Sequence, residues 1–319
     1  LNPIKVEGRN FVDSVTGERF VIKGVDYQPG GSSSVRKGND PLADLGSCIR
    51  DAYMLQQLGI NTIRVYSVDP SVNHDECMSL FAAAGIYLLL DVNTPLANQH
   101  IHRYEPWTTY TKNYLNHVFS VIEAFAGYPN TLGFFAGNEV INDYDSGQVA
   151  PAYMKAIVRD MKQYIANHIH RPIPVGYSAA DDLLFRHSLP KYLSCGSEFE
   201  AIDFFGVNSY QWCGRQSMET SGYTQLLQDF NNTAVPVFFS EYGCNNVQPR
   251  VFQEVEAIYS SPMTDVFSGG LVYEYTEESN HYGLLQMVGG GALRELPDFK
   301  RLQIQLNKVK DVSFPLIQE

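Results

Sequence analysis

Eight short apolar runs, separated by segments long enough to be helices, limit what this chain can fold into more than any other feature of its sequence. The runs cover residues 20–27, 62–67, 86–92, 131–136, 173–177, 203–210, 235–240 and 270–275, and they are rich in Val, Ile, Phe and Tyr. Continuous rather than alternating hydrophobicity marks strands buried on both faces. Residues 48–58, 75–84, 110–126, 151–168, 224–230, 250–259 and 297–306 read as helices between and after them, with a weaker candidate over 179–192. Strand and helix alternating eight times across about 250 residues predict an α/β fold, a (β/α)8 TIM barrel, rather than an open doubly wound sheet. No GxGxxG follows the first run, which argues against a dinucleotide-binding sheet. Before the first strand, the turn cluster Asp13-Ser14-Val15-Thr16-Gly17 between β-branched and aromatic residues predicts an N-terminal β-hairpin. Residues 30–40 and 289–291 read as loops, the first of them mobile. We expect one catalytic domain over residues 1–311, with 312–319 the start of a C-terminal tail or linker.

Charge narrows the partners. A formal net charge of −12 repels phosphate backbones and anionic headgroups, so neither nucleic acid nor membrane contact by the chain itself is expected. A neutral or cationic ligand fits better, and 20 Tyr and 18 Phe offer faces for sugar rings as well as for a core. The five cysteines, at 48, 77, 195, 213 and 244, form no CxxC or Cys/His zinc pattern. His100-Ile101-His102 and His168-Ile169-His170 have a spacing a metal could use, but they lack a third ligand and read as surface histidines. Neither metal nor cofactor is expected. The chain starts Leu1-Asn2-Pro3, which reads as a secretory signal already removed, and Asn231-Asn232-Thr233 is a glycosylation triplet.

In this barrel the active site gathers at the C-terminal ends of the strands. Of 35 acidic residues, Asp91, Glu139 and Glu241 most clearly end apolar runs, the two glutamates on strands four and seven. Those strands face each other across the mouth. A carboxyl pair suffices for glycoside chemistry: one protonates the leaving oxygen while the other attacks the anomeric carbon, and about 5–5.5 Å between them specifies retention. One glutamate at a strand end would more simply cap a helix or pair with an arginine; two in distinct contexts favour chemistry. Asn138 beside Glu139 suits a sugar 2-hydroxyl, and Ser240-Glu241-Tyr242-Gly243-Cys244 places an aromatic and a tight turn after the second acid. A Ser-His-Asp hydrolase is disfavoured because no GxSxG elbow is present.

The segments Phe134-Phe135-Ala136-Gly137-Asn138-Glu139-Val140 and Pro236-Val237-Phe238-Phe239-Ser240-Glu241-Tyr242-Gly243-Cys244 strongly resemble family 72 of the glycoside hydrolases, the fungal cell-wall β-1,3-glucanosyltransferases. The likeness extends through Asp40-Pro41-Leu42-Ala43, Ile63-Arg64-Val65-Tyr66, Ile173-Pro174-Val175-Gly176-Tyr177-Ser178 and Thr264-Asp265-Val266-Phe267-Ser268-Gly269-Gly270 to Tyr282-Gly283-Leu284, nearly the whole chain. It implies a retaining double displacement, with Glu241 as nucleophile and Glu139 as acid/base. A β-1,3-glucan donor is cut internally, and its new reducing end passes to the non-reducing end of an acceptor glucan. By the same likeness Gln28, Tyr66, Asp91, Asn138, Tyr210 and Tyr273 line the glucan cleft, although Gln28 and Asp91 suit barrel packing as well. Asp26 and Asn93 stand where the family pattern is often small and apolar. The resemblance also implies a secreted monomer at the cell wall, held by a GPI anchor in its full-length precursor.

Cys48–Cys77 and Cys213–Cys244 are expected as disulfides. The first pair starts consecutive barrel helices and the second follows adjacent strands six and seven, close enough for the roughly 4.4–6.8 Å between Cα atoms that a disulfide needs. Cys195 is then unpaired, and in family members with an additional module its match bonds to that module. Two other readings stay open: a hydrolytic endo-β-1,3-glucanase on the same barrel, differing only in acceptor, and a glucan-binding protein that has lost catalysis.

Overall fold

The chain opens on three short antiparallel strands, β1 (Ile4–Glu7), β2 (Asn10–Asp13) and β3 (Arg19–Phe20), so the expected hairpin is joined by one further strand. Eight parallel strands follow and close on themselves in chain order: β4 (Ile22–Asp26), β5 (Thr62–Val65), β6 (Tyr87–Asp91), β7 (Thr131–Asn138), β8 (Val175–Ala180), β9 (Phe204–Asn208), β10 (Val237–Tyr242) and β11 (Phe267–Val272). Around them lie α1 (Leu45–Leu58), α2 (Asp75–Ala83), α3 (Lys112–Phe125), α4 (Tyr144–His168), α5 (Ser188–Ser194), α6 (Tyr223–Phe230), α7 (Glu254–Ile258) and α8 (Pro297–Lys308). This computed structural model describes residues 1–36 and 39–319; Lys37 and Gly38, within the loop expected over 30–40, lie outside the described residues.

Each apolar run overlaps one barrel strand, and the departures have local causes. β11 begins three residues before the predicted 270, because Gly269 and Gly270 break the apolar run yet are what the close strand contacts require: a Cβ on Gly269 would stand 2.0 Å from the Ile22 carbonyl oxygen. α4 begins seven residues before the predicted 151. Pro151 reads as a first-turn proline, but the helix is nucleated earlier by a capping box, in which Asp143 accepts from Ser146 N and the Ser146 hydroxyl accepts from the Asp143 backbone. α7 is shorter than the predicted 250–259, since Arg250 turns inward instead of starting a helix. The loop expected at 289–291 is the turn of a hairpin, β12 (Leu285–Val288) with β13 (Ala292–Glu295). Both strands are largely exposed and carry no usable apolar period.

Two packed layers position the site. Between barrel and helices lies the large core, and inside the barrel Ile22, Leu89, Leu132, Phe135, Phe204, Phe238 and Leu271 fill the axis. At the N-terminal end of the strands the small sheet acts as a plug, with the Phe11 ring 5.8 Å from that of Phe204 and 5.7 Å from that of Phe238. Burying a phenylalanine of this kind contributes about 1.5–3 kcal/mol. Towards the other end the interior turns polar at Arg64, whose guanidinium carbon lies 4.6 Å from the Phe135 ring centre. The C-terminal segment returns beneath the barrel: Ile317 N donates to Asn10 Oδ1 at 2.8 Å, and Asn10 Nδ2 donates to Ile317 O at 3.0 Å. Disulfides join Cys48 to Cys77 and Cys213 to Cys244, with Cα atoms 5.6 and 5.1 Å apart, while Cys195 is free and exposed.

Candidate active site

The C-terminal strand ends surround a cleft of about 470 Å³ whose wall includes Asp26, Gln28, Tyr66, Asn138, Glu139, Tyr210, Glu241, Tyr273, Glu274 and Tyr282. Seven of the eight residues predicted for catalysis or glucan contact line it; the eighth, Asp91, lies behind Arg64.

Glu241 sits on β10 and is 6 % exposed. Three donors converge on its carboxylate: Tyr210 OH on Oε1 at 2.6 Å, Tyr66 OH on Oε2 at 2.8 Å, and Arg64 Nη1 on Oε2 at 3.3 Å. Burial pushes its pKa above the ordinary glutamate value; Arg64 and then the Tyr210 hydroxyl oppose this, Glu139 adds to it, and Tyr66 opposes it. Donors aimed at both oxygens favour the anion. Tyr210 and Tyr66 themselves are held well above the ordinary tyrosine value, by burial and then by nearby carboxylates, so they remain donors.

Arg64 is fully buried and ties this carboxylate to another. Its Nε and Nη2 donate to Asp91 Oδ1 and Oδ2 at 2.9 and 3.0 Å, a bidentate fork, while Nη1 reaches Glu241. Asp91 therefore reaches the cleft only through Arg64. Gln28 also acts on its neighbours: its Oε1 accepts from Tyr66 N at 3.1 Å and Ser67 N at 3.2 Å, fixing the backbone that carries Tyr66.

Glu139 follows β7 with φ of 52°, in the left-handed region that a non-glycine residue occupies at a cost. Its Oε2 accepts from Asn208 Nδ2 at 2.9 Å, and the same amide nitrogen donates to Asn138 Oδ1 at 3.1 Å. The orientation of Asn208 is fixed on its other side, where Oδ1 accepts from Ser240 Oγ at 2.8 Å and Ser178 Oγ at 3.2 Å. Glu139 thus has one amide donor on its carboxyl, whereas Glu241 has two hydroxyls and a guanidinium.

Two further acids face the cleft, both with pKa values raised by burial. Asp26 is fully buried, with no hydrogen-bond partner for either oxygen among the described residues. Burial raises its pKa well above the usual range; Arg64 opposes this, while Glu241, Asp91 and Glu274 add to it. Glu274 is pushed up to about 9 by burial and by Glu278 bonded beside it. The other departure, Asn93, is architectural: its Nδ2 donates to Ala136 O at 2.8 Å and its Oδ1 accepts from the Tyr114 hydroxyl.

Sequence reasoning missed Arg64, Asn208, Tyr282 and Glu274 as site residues. An arginine inside a continuously apolar strand is itself a signal, because a buried guanidinium needs carboxylate partners. Asn208 and Glu274 also sit at or just beyond strand ends, whereas Tyr282 comes from a loop and carries no such mark. Among the described residues no group of three or more His, Cys, Asp or Glu is placed to hold a metal ion.

The family model for Glucanosyltransferase, glycoside hydrolase family 72, matches residues 1–310. The chain is 52% identical to 1,3-beta-glucanosyltransferase GAS4 of Saccharomyces cerevisiae over 322 residues, covering 100% of this chain and 68% of that protein. To 1,3-beta-glucanosyltransferase gel2 of Aspergillus fumigatus it is 54% identical over 308 residues, covering 96% and 65%. The structure of Saccharomyces cerevisiae Gas2p in complex with laminaritriose and laminaritetraose superposes with a TM-score of 0.92 at 43% identity, covering 99% of this chain and 70% of that one. The chain thus spans about two thirds of the length of these relatives. Its match over residues 1–310 and its identity to these enzymes place the chain in the glucanosyltransferase family, family 72 of the glycoside hydrolases.

Proposed function

We propose that this chain is a retaining β-1,3-glucanosyltransferase in which Glu241 is the nucleophile and Glu139 the acid/base. The observation that carries the reading is the unequal surroundings of the two glutamates. Glu241 receives Tyr210, Tyr66 and Arg64, donors that hold an anion in place, while Glu139 receives one neutral amide from Asn208. Paired carboxyls in unlike environments divide the acid and nucleophile roles in glycoside chemistry.

In the first step a Glu241 oxygen bonds to the anomeric carbon, the glycosidic C–O bond breaks, and the Glu139 proton passes to the departing oxygen. In the second, a 3-hydroxyl of an acceptor glucan bonds to the same carbon as the bond to Glu241 breaks, and its proton returns to Glu139. Relatives named 1,3-beta-glucanosyltransferases, and a structural neighbour bound to laminari-oligosaccharides, support β-1,3-glucan as both donor and acceptor. Within one chain, the cleft is built whole, which supports a monomer. Two disulfides suit an oxidising compartment. We accordingly read the enzyme as extracellular and wall-facing, with a GPI anchor in the full-length precursor. Among the described residues no helix is long and apolar enough to cross a membrane.

The deciding experiment is mass spectrometry of products from a reduced laminari-oligosaccharide. Products longer than the substrate establish transfer. Shortened products alone mean that water is the acceptor and the chain is an endoglucanase, and an unchanged substrate that still binds means a binding protein.

A further inference from the structure

Arg250 lies between β10 and α7, 3 % exposed, with all five N–H groups engaged: four on the frame of the cleft and one on Asp298 outside it. Nε donates to Asp298 Oδ2 on α8 at 2.6 Å. Nη1 donates to Gly243 O at 3.1 Å and Tyr273 O at 2.8 Å, and Nη2 to Tyr282 O at 2.7 Å and Gly283 O at 3.4 Å. One side chain therefore ties the chain two residues beyond Glu241 to the backbone of two cleft tyrosines.

Those tyrosines form a wall with Tyr210, itself bonded to Glu241. Ring centres are 6.4 Å apart for Tyr210 and Tyr273, 5.6 Å for Tyr210 and Tyr282, and 5.4 Å for Tyr273 and Tyr282, all edge to face. Such rings can position a sugar face or edge. Tyr273 and Tyr282 lie outside helix and strand. Tyr273 N donates to Tyr242 O at the end of β10 and Tyr282 O accepts from Glu274 N, both at 2.9 Å, and the Arg250 fork adds bonds to both tyrosine carbonyls, tying the two segments to each other and to Gly243.

We propose that Arg250, acting through the backbone carbonyls it holds, is a positioning residue for glucan transfer: it sets the height of the tyrosine wall over Glu241 and thereby decides how well an acceptor sugar competes with water. This rests on the transferase reading above. Water, small and about 55 M in bulk, reaches the in-line position beside Glu139 without help from the wall, whereas an acceptor sugar must be bound to place its hydroxyl there, so a loosened wall penalises transfer more than hydrolysis. Lysine cannot replace the fork, having one nitrogen where Arg250 uses three.

The test compares the parent with Arg250→Lys, Arg250→Met and Asp298→Asn on reduced laminaripentaose, with laminari-oligosaccharide acceptor added over a concentration series and thermal melting measured alongside. The expected result is a donor cleavage rate within severalfold of the parent, with the acceptor concentration for half-maximal transfer raised about tenfold and hydrolysis products increased. Asp298→Asn, remote from the cleft and keeping an acceptor for Nε, should shift the same two readouts in the same direction by less, and it carries the test if the Arg250 variants do not fold. An unchanged product ratio and half-saturation with only a lower melting temperature would overturn the proposal and leave the transferase reading intact. A parent that yields no product longer than its substrate overturns both.

Discussion

Asn208 donates its amide N–H to Glu139 at 2.9 Å from the strand position that pairs with Glu241 in the register of β9 and β10. One amide thus stands between the two glutamates and bonds only one of them. Because Ser178 and Ser240 occupy its carbonyl oxygen, the nitrogen end can face only the Glu139 side.

Replacing Asn208 by Ala should therefore weaken acid/base work more than nucleophilic attack. Loss of one hydrogen bond to an ionisable group costs about 1.5–3 kcal/mol, which is about tenfold to a hundredfold in rate. We expect kcat on laminari-oligosaccharides to fall by that amount, and much less on an aryl glucoside whose leaving group needs no proton. Equal losses on both substrates would place Asn208 outside the acid/base function.

Roles at the two glutamates are separable by stereochemistry. Glu139→Gln and Glu241→Gln should each nearly abolish turnover while glucan binding persists, since shape is kept and a proton donor or nucleophile is lost. Azide added to Glu139→Ala with an activated aryl glycoside should give a product of retained configuration. With Glu241→Ala it should give the inverted product. The opposite pairing, read by NMR of the glycosyl azides, would reverse the assignment.

How far the sequence reveals this molecule depends on which physics acts locally. Buried strands announce themselves as apolar runs, and the barrel rule then points to acids at strand ends, which is why residue order alone makes Glu139, Glu241 and Asp91 stand out. The partners of those acids do not. Arg64 meets Asp91 and Glu241 across 27 and 177 residues of sequence, and Arg250 meets Asp298 across 48. Such pairings follow from barrel closure rather than from local spacing. The β12–β13 hairpin is hidden for a different reason: its strands are largely exposed, so no hydrophobic period marks them.

Glu254 offers a test of buried acid away from the cleft. It is 4 % exposed on α7, and burial pushes its pKa up to about 7. The folded state then holds a proton that the unfolded chain, titrating near 4.5, has lost. Stability contributed by that proton is fully present below about pH 4.5 and declines as pH rises through about 7, by on the order of 3 kcal/mol in total. Glu254→Gln should flatten the decline between about pH 4.5 and 7 and raise the melting temperature above that window, with kcat unchanged. Denaturant unfolding at several pH values measures it, and an unaltered slope would mean that Glu254 is ionised in the folded enzyme.

The tyrosines at the cleft separate packing from acceptor binding. Tyr210 has a defined bond, its hydroxyl to Glu241 at 2.6 Å, so Tyr210→Phe removes a donor from the nucleophile while keeping the ring. That change should lower the rate of both transfer and hydrolysis about tenfold or more, as expected for a hydrogen bond to a charged group. Tyr273 has no bond to either glutamate and presents its ring beside Tyr210 and Tyr282. Tyr273→Ala should therefore act on the product ratio: water is about 55 M in bulk, and a sugar acceptor prevails only through orientation, where effective molarities reach about 10⁵–10⁸ M. Losing an aromatic face that orients the acceptor cuts that advantage while leaving attack by water intact. The expected outcome is a fall in products longer than the substrate with donor consumption largely kept, and Tyr273→Phe should recover most of it if the ring rather than the hydroxyl is responsible. Should Tyr273→Ala melt early yet keep the parent's rate and ratio, the ring serves packing alone, and the acceptor must be held by other parts of the wall.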